Sequence, residues 1–176
     1  MMLLRRNKSI GRGCSHIRPY LLLFSYVILL NVAIVLATLT IHETGHYILG
    51  HVSGCNNIRI VLFDSDNGST YTYMKCSENT NYGIIALGGF LLVIPFGMLF
   101  FFIKPLTERY LWFVIIGFNF IISYYDIGII TNLFMMPALL TFSGAFMLVL
   151  GETLLVDRYI YNAISKEQLE GKFLIT

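Results

Sequence analysis

His42, Glu43 and His46 are the residues whose types and spacing point most directly to chemistry. Side chains four positions apart share one helix face, so both imidazoles can reach a single ion. Glu43 sits beside them and can reach a water on that ion rather than the ion itself. This is the H-E-x-x-H arrangement, in which zinc activates water and the glutamate serves as general base. The cluster lies in a nearly unbroken apolar stretch, residues 20–51. Ionisable side chains cost roughly 2.5–3.5 kcal/mol each in a membrane helix, which makes them functional candidates by default. A metal-free His–Glu hydrogen-bonded cluster is the bland alternative, and apolar surroundings weigh against it because unpaired groups there find no water.

A third ligand has to come from elsewhere. His51 invites comparison with longer zinc motifs, but Gly50 and His51 fall at the wrong offsets, and a continuing helix turns His51 roughly 140° away from His46. Asp126 is the stronger candidate, being the acidic residue of the apolar stretch Tyr110 to Gly128. If the first and third spans both run outward, the histidines and Asp126 each lie near the outer end of their helix, at similar depth. The alternative for Asp126 is a carboxylate at the water interface. Glu152 is the rival ligand, expected near the opposite face. Asp64, Asp66 and Glu78 read as solvated loop groups.

The elements that must position these residues are legible in the composition. The chain has 176 residues, 56% hydrophobic and only 12% charged. A soluble domain carries about 25% charged residues. The expected fold is therefore an all-α polytopic membrane protein with about four transmembrane helices, at roughly 20–51, 82–103, 110–128 and 130–156. A helix over the first of these would be about 45 Å long, more than the roughly 30 Å hydrocarbon core, so its far end should reach the opposite interface or tilt. Gly88-Gly89 and Gly97 offer close helix approach in the second span. Pro137 falls inside the fourth, where neighbouring helices can support it.

Between the first and second spans, residues 52–81 form a polar loop. Ile58–Phe63 and Ser69–Met74 are β-branched and aromatic, and the intervening Asp64–Gly68 contains Asn-Gly, so a small β-hairpin is expected. A disordered loop is its alternative. Residues 1–19 carry Arg5, Arg6, Lys8, Arg12 and Arg18 and no acidic residue, which predicts a cytoplasmic N-terminal segment. The apolar run after it is too long for a signal peptide and reads as a retained anchor. Residues 157–176 are expected to be a cytoplasmic tail, either a short helix or a frayed end. No basic or aromatic pattern extends the N-terminal arm, so nucleic acid is not expected as a partner. Cys14 lies in the basic segment. Cys55 and Cys76 share the hairpin loop, where pairing and two free thiols are both open. Asn67-Gly-Ser69 is a glycosylation pattern relevant to a lumenal loop.

The order of features resembles the site-2 protease family of intramembrane zinc metalloproteases. Ile41-His-Glu-Thr-Gly-His-Tyr-Ile-Leu-Gly50 is similar to that family's zinc helix. Ile58–Phe63 resembles its membrane-associated β-segment, and Tyr82–Gly89 its small-residue helix entry. Phe118-Asn119 and Asp126-Ile-Gly128 resemble elements of its third core helix. The likeness covers about residues 38–130. This chain departs in lacking prolines between Asn119 and Asp126 and in reading Tyr-Asp-Ile-Gly where Leu-Asp-Gly is common. The resemblance implies zinc held by His42, His46 and Asp126, Glu43 as catalytic base, and Asn119 as a substrate or oxyanion contact. It implies hydrolysis of peptide bonds in membrane-associated protein substrates, which the hairpin would receive by strand addition. The alternative is a non-catalytic metal-binding membrane protein acting as chaperone, assembly factor or regulator. A transporter would need polar residues on several spans and is disfavoured.

Overall fold

The computed structural model describes residues 17–65, 69–102, 109–131 and 135–173. Four features expected from the sequence lie outside the described residues. They are the basic segment up to His16 with Cys14, Asp66, the Asn67-Gly68 turn with its glycosylation pattern, and most of the connector before Arg109. The chain divides into two compact units, 1–33 and 34–176. The described part of the first consists of N-terminal turns of α1 (Ile17–Val52), including the backbone-directed bond Asn31 Nδ2→Val27 O of 3.0 Å.

Helix α1 ends in a Schellman cap. Gly54, at φ 81°, takes the left-handed conformation that a residue without Cβ adopts freely. The amides of Gly54 and Cys55 then close onto the carbonyls of His51 and Gly50 at 3.1 and 3.0 Å. This reversal starts β1 (Asn56–Val61), which pairs antiparallel with β2 (Tyr71–Lys75). Arg59 opposes Tyr73 and Val61 opposes Tyr71, with the register shifting between Asn56 and Arg59, where Asn57 has φ 53°. The observed strands begin two residues earlier and later, respectively, than the apolar runs suggested. Cys55 and Cys76 form a disulfide across the base of the hairpin. The pairing that composition left open is thereby present.

In the second unit, α2 (Tyr82–Phe102) meets the end of α1 at glycine. A Cβ on Gly45 would lie 2.1 Å from the Gly88 carbonyl oxygen, and one on Gly88 would lie 2.5 Å from that of Gly45. Only bare backbone permits this approach. Next come α3 (Leu111–Ile122) and α4 (Tyr124–Thr131), then α5 (Met135–Phe173). Gly117 and Gly144 make a similar crossing between α3 and α5. Val93, Val114 and Ile115 fill the core between α2 and α3.

Three expectations are corrected. The third span is not one straight helix: α3 and α4 meet at Ser123 with a bend of 54°. Ser123 has ψ 6°, away from helical values, yet its amide and carbonyl keep bonds to Asn119 and Ile127 of 3.0 Å each, so the turn bends without losing its hydrogen bonds. The expected fourth span begins at Met135 as α5, not near Ile130, which puts Pro137 in its first turn, where a missing N–H costs nothing. It also continues through Asp157 to Phe173, because hydropathy marks where an apolar surface stops, not where a helix must end. Among the described residues, three helices are long and apolar enough to cross a membrane, or four if the bent pair is one span.

Candidate metal centre

His42 and His46 leave α1 on one face, and the bend at Ser123 turns α4 so that Asp126 meets them. His42 Nε2 lies 3.1 Å from His46 Nε2. Asp126 Oδ2 lies 2.9 Å from the former and 3.4 Å from the latter. These are the described residues that come together as possible ligands of one ion.

The far side of each ring explains its orientation. His42 Nδ1 faces Asn119 Oδ1 at 3.2 Å, and Asn119 Nδ2 in turn donates to the Phe90 carbonyl at 3.2 Å. That second bond fixes which end of the amide is oxygen, so His42 Nδ1 must carry the proton. His46 Nδ1 donates to the Ile85 carbonyl at 2.9 Å. With both Nδ1 atoms committed as donors, both Nε2 atoms face the Asp126 carboxylate oxygen. Three such atoms in contact repel one another unless a proton or a metal cation lies among them. The donor set is two imidazole nitrogens and one oxygen. Ligand bonds of 2.0–2.2 Å at tetrahedral angles put ligand atoms about 3.3–3.6 Å apart. The observed separations, 2.9–3.4 Å, are a few tenths of an ångström shorter, so a small outward movement of the side chains lets His42, His46 and Asp126 hold a metal ion.

Gly89 completes the cradle. A Cβ there would lie 2.6 Å from His42 Nε2 and 2.7 Å from His46 Nε2. The space beside both nitrogens is kept free by the absence of one methyl group.

Glu43 is buried, at 5% exposure, but its carboxylate is not part of the ligand group. Thr72 Oγ1, from β2, lies 2.7 Å from Glu43 Oε2 and 3.1 Å from the Glu43 carbonyl oxygen. His42, Glu43, His46 and Asp126 all line a cleft of about 960 Å³, whose other wall includes residues 69–74 along β2. Met74 packs on Gly50, so β2 runs back beside the last turns of α1.

Asn119 is fully buried and is not among the cleft-lining residues; it faces His42 instead. His51 is exposed, Glu152 on α5 is outside the ligand group, Asp64 receives the Tyr71 hydroxyl at 3.4 Å, and Glu78 is exposed in the loop. Sequence reasoning missed Thr72, the place of Gly89 beside the two imidazoles, and the carbonyls of Ile85 and Phe90. The Tyr-Thr-Tyr-Met alternation in β2 was a signal for Thr72, since it places Thr72 and Met74 on the face opposite the two tyrosines. Nothing in a sequence marks a particular carbonyl. No known family, characterised protein or solved structure matches this chain.

Proposed function

We propose that this chain is an intramembrane zinc metalloprotease of the site-2 protease type, hydrolysing peptide bonds of membrane-associated proteins. The observation that carries the reading is the meeting of His42, His46 and Asp126 around one point, with Glu43 in the same cleft and an edge strand beside it.

An inverted distribution of side chains supports membrane insertion. The fully buried set includes Thr38, Asn119 and Ser123, while Leu22, Phe24, Leu29, Phe142 and Phe146 are among the most exposed. That exterior suits lipid, not water. The disulfide supports an orientation with the hairpin outside and the basic N-terminal segment in the cytoplasm, since such bonds persist in oxidising compartments. His46 then lies about 9 Å below the hairpin end of α1, six residues from Val52.

Two imidazole nitrogens with a carboxylate favour zinc among the common divalent ions. Zinc bound there would supply Lewis acidity toward a peptide carbonyl and toward water. The chain's own residues do the rest. Asn119 and the Ile85 carbonyl hold the rings so that both Nε2 atoms face inward. Glu43 takes a proton from the attacking water and passes it to the departing amine. Residues 69–74 offer backbone groups to an extended substrate segment, since among the described residues β2 pairs with β1 alone. A helical substrate must unwind locally first, because its amides are already bonded.

Departures from the family pattern favour a second reading, a metal-binding membrane chaperone or regulator. Tyr125-Asp126-Ile127-Gly128 stands where Leu-Asp-Gly is common. The Glu43→Gln variant separates the two. It should keep its metal and lose cleavage of a membrane-protein substrate by purified protein. Cleavage that survives in Glu43→Gln refutes the general-base role.

A further inference from the structure

Zinc sites that do chemistry keep one position open, whereas structural sites close it with a fourth protein ligand. This chain carries a fourth candidate ligand beside the other three. Glu43 is adjacent to His42, is buried, and lines the same cleft, yet its carboxylate stands apart from the ligand group. What holds it is Thr72 Oγ1, 2.7 Å from Oε2. The Glu43 carbonyl oxygen, 3.1 Å from the same hydroxyl, is a second acceptor for its single proton. Thr72 is half-buried, and β2 is fastened at its far end by Cys76 and packed through Met74 onto Gly50. The hydroxyl is therefore carried on a fixed strand.

We infer that Thr72 is a positioning residue that keeps the Glu43 carboxylate from becoming a metal ligand, and so keeps the centre open. The inference deepens the metalloprotease reading and rests on its metal centre, though not on its proteolysis. It also ties the state of the centre to the docking of the hairpin, because the same strand that borders the cleft supplies the hydroxyl. Without that hydroxyl, the carboxylate would lose its bond in an apolar pocket, where an unsatisfied charge is costly. An ion one residue away would be its nearest compensating partner.

Cobalt(II) in place of the native metal reports coordination directly, in full-length protein and without any substrate. Thr72→Val removes the hydroxyl and keeps the shape; Thr72→Ser keeps the hydroxyl. The expected result is weaker visible d–d bands in Thr72→Val, as the coordination number rises, with wild-type bands in Thr72→Ser. The double variant Thr72→Val with Glu43→Gln should lose the extra ligand and return toward the wild-type spectrum. Cleavage of a dye-labelled apolar helical peptide interrupted by Asn-Gly should show a kcat about 10–100-fold lower in Thr72→Val, with KM unchanged and Ser restoring the rate. A Thr72→Val protein that is folded, binds cobalt and has the wild-type spectrum overturns the inference. Wild-type protein that retains no cobalt overturns the metal centre as well. A spectrum that changes as described in a protein that cleaves nothing leaves the positioning role standing and removes only the protease reading.

Discussion

Replacing Gly89 by alanine should damage the metal centre far more than its size suggests. The added Cβ would start 2.6 Å from His42 Nε2 and 2.7 Å from His46 Nε2. Ordinary contact begins at 3.4 Å, so 3.4 − 2.6 gives 0.8 Å of displacement at one nitrogen and 3.4 − 2.7 gives 0.7 Å at the other. Relief is blocked on both sides. Helix α2 cannot retreat easily, because Gly97 on its other side is already against Ile116 and Ile115 of α3. The rings cannot turn freely, because Asn119 and the Ile85 carbonyl hold their Nδ1 atoms. Metal–ligand distances tolerate about 0.2 Å. A shift several times larger should lower metal affinity at least about 100-fold, beyond the 10–100-fold typical of lost outer-shell support. Overpacking itself should cost about 1–3 kcal/mol of stability. Gly97→Ala is the control, since its Cβ would meet the flexible Ile116 Cδ1 at 2.8 Å, away from the ligands. Competition against a chromophoric chelator measures affinity, and thermal unfolding measures stability. Both variants should lose some stability, and only Gly89→Ala should lose the metal. A folded Gly89→Ala protein with wild-type affinity would refute the packing described around the two nitrogens.

Three other outcomes follow from the same contacts. Asn119→Leu removes the acceptor for His42 Nδ1–H and the amide's own anchor on the Phe90 carbonyl, so metal affinity in the chelator assay should fall about 10–100-fold. Breaking the disulfide with Cys76→Ser opens a loop of separation 21 and should cost about 3 kcal/mol, read as a lower unfolding temperature with metal content retained. His51→Ala should bind metal as the wild type does in the same titration, because His51 points to the exterior on a different face of α1.

The parts of this molecule legible in its sequence are those governed by short-range periodicity. Two histidines four apart must share a helix face, whatever surrounds them, and long apolar runs announce their helices by hydropathy alone. The hairpin announced itself through β-branched and aromatic residues flanking a turn-rich segment. The bend at Ser123 gave no such sign. No proline or glycine lies between Gly117 and Asp126, and the apolar run continues through it, yet this bend is what turns Asp126 toward the histidines. The extension of α5 past Asp157 was equally hidden, because polar residues that end an apolar surface can continue a helix. The Thr72–Glu43 contact joins residues 29 apart through the hairpin's fold, and no local pattern encodes it. Asn119 could be picked out as a buried polar residue, but the direction of its amide depends on a carbonyl contributed by another helix. The disulfide depended on the compartment, which the cysteine spacing does not specify.

The central claim, one ion gripped by His42, His46 and Asp126, is tested most directly by elemental analysis of purified protein. Wild type, His46→Ala and Asp126→Ala should be compared after identical preparation, with folding checked by circular dichroism. The account predicts equimolar zinc in the wild type and loss of it in both variants. Wild-type protein without metal, or an Asp126→Ala protein with undiminished zinc, would contradict it.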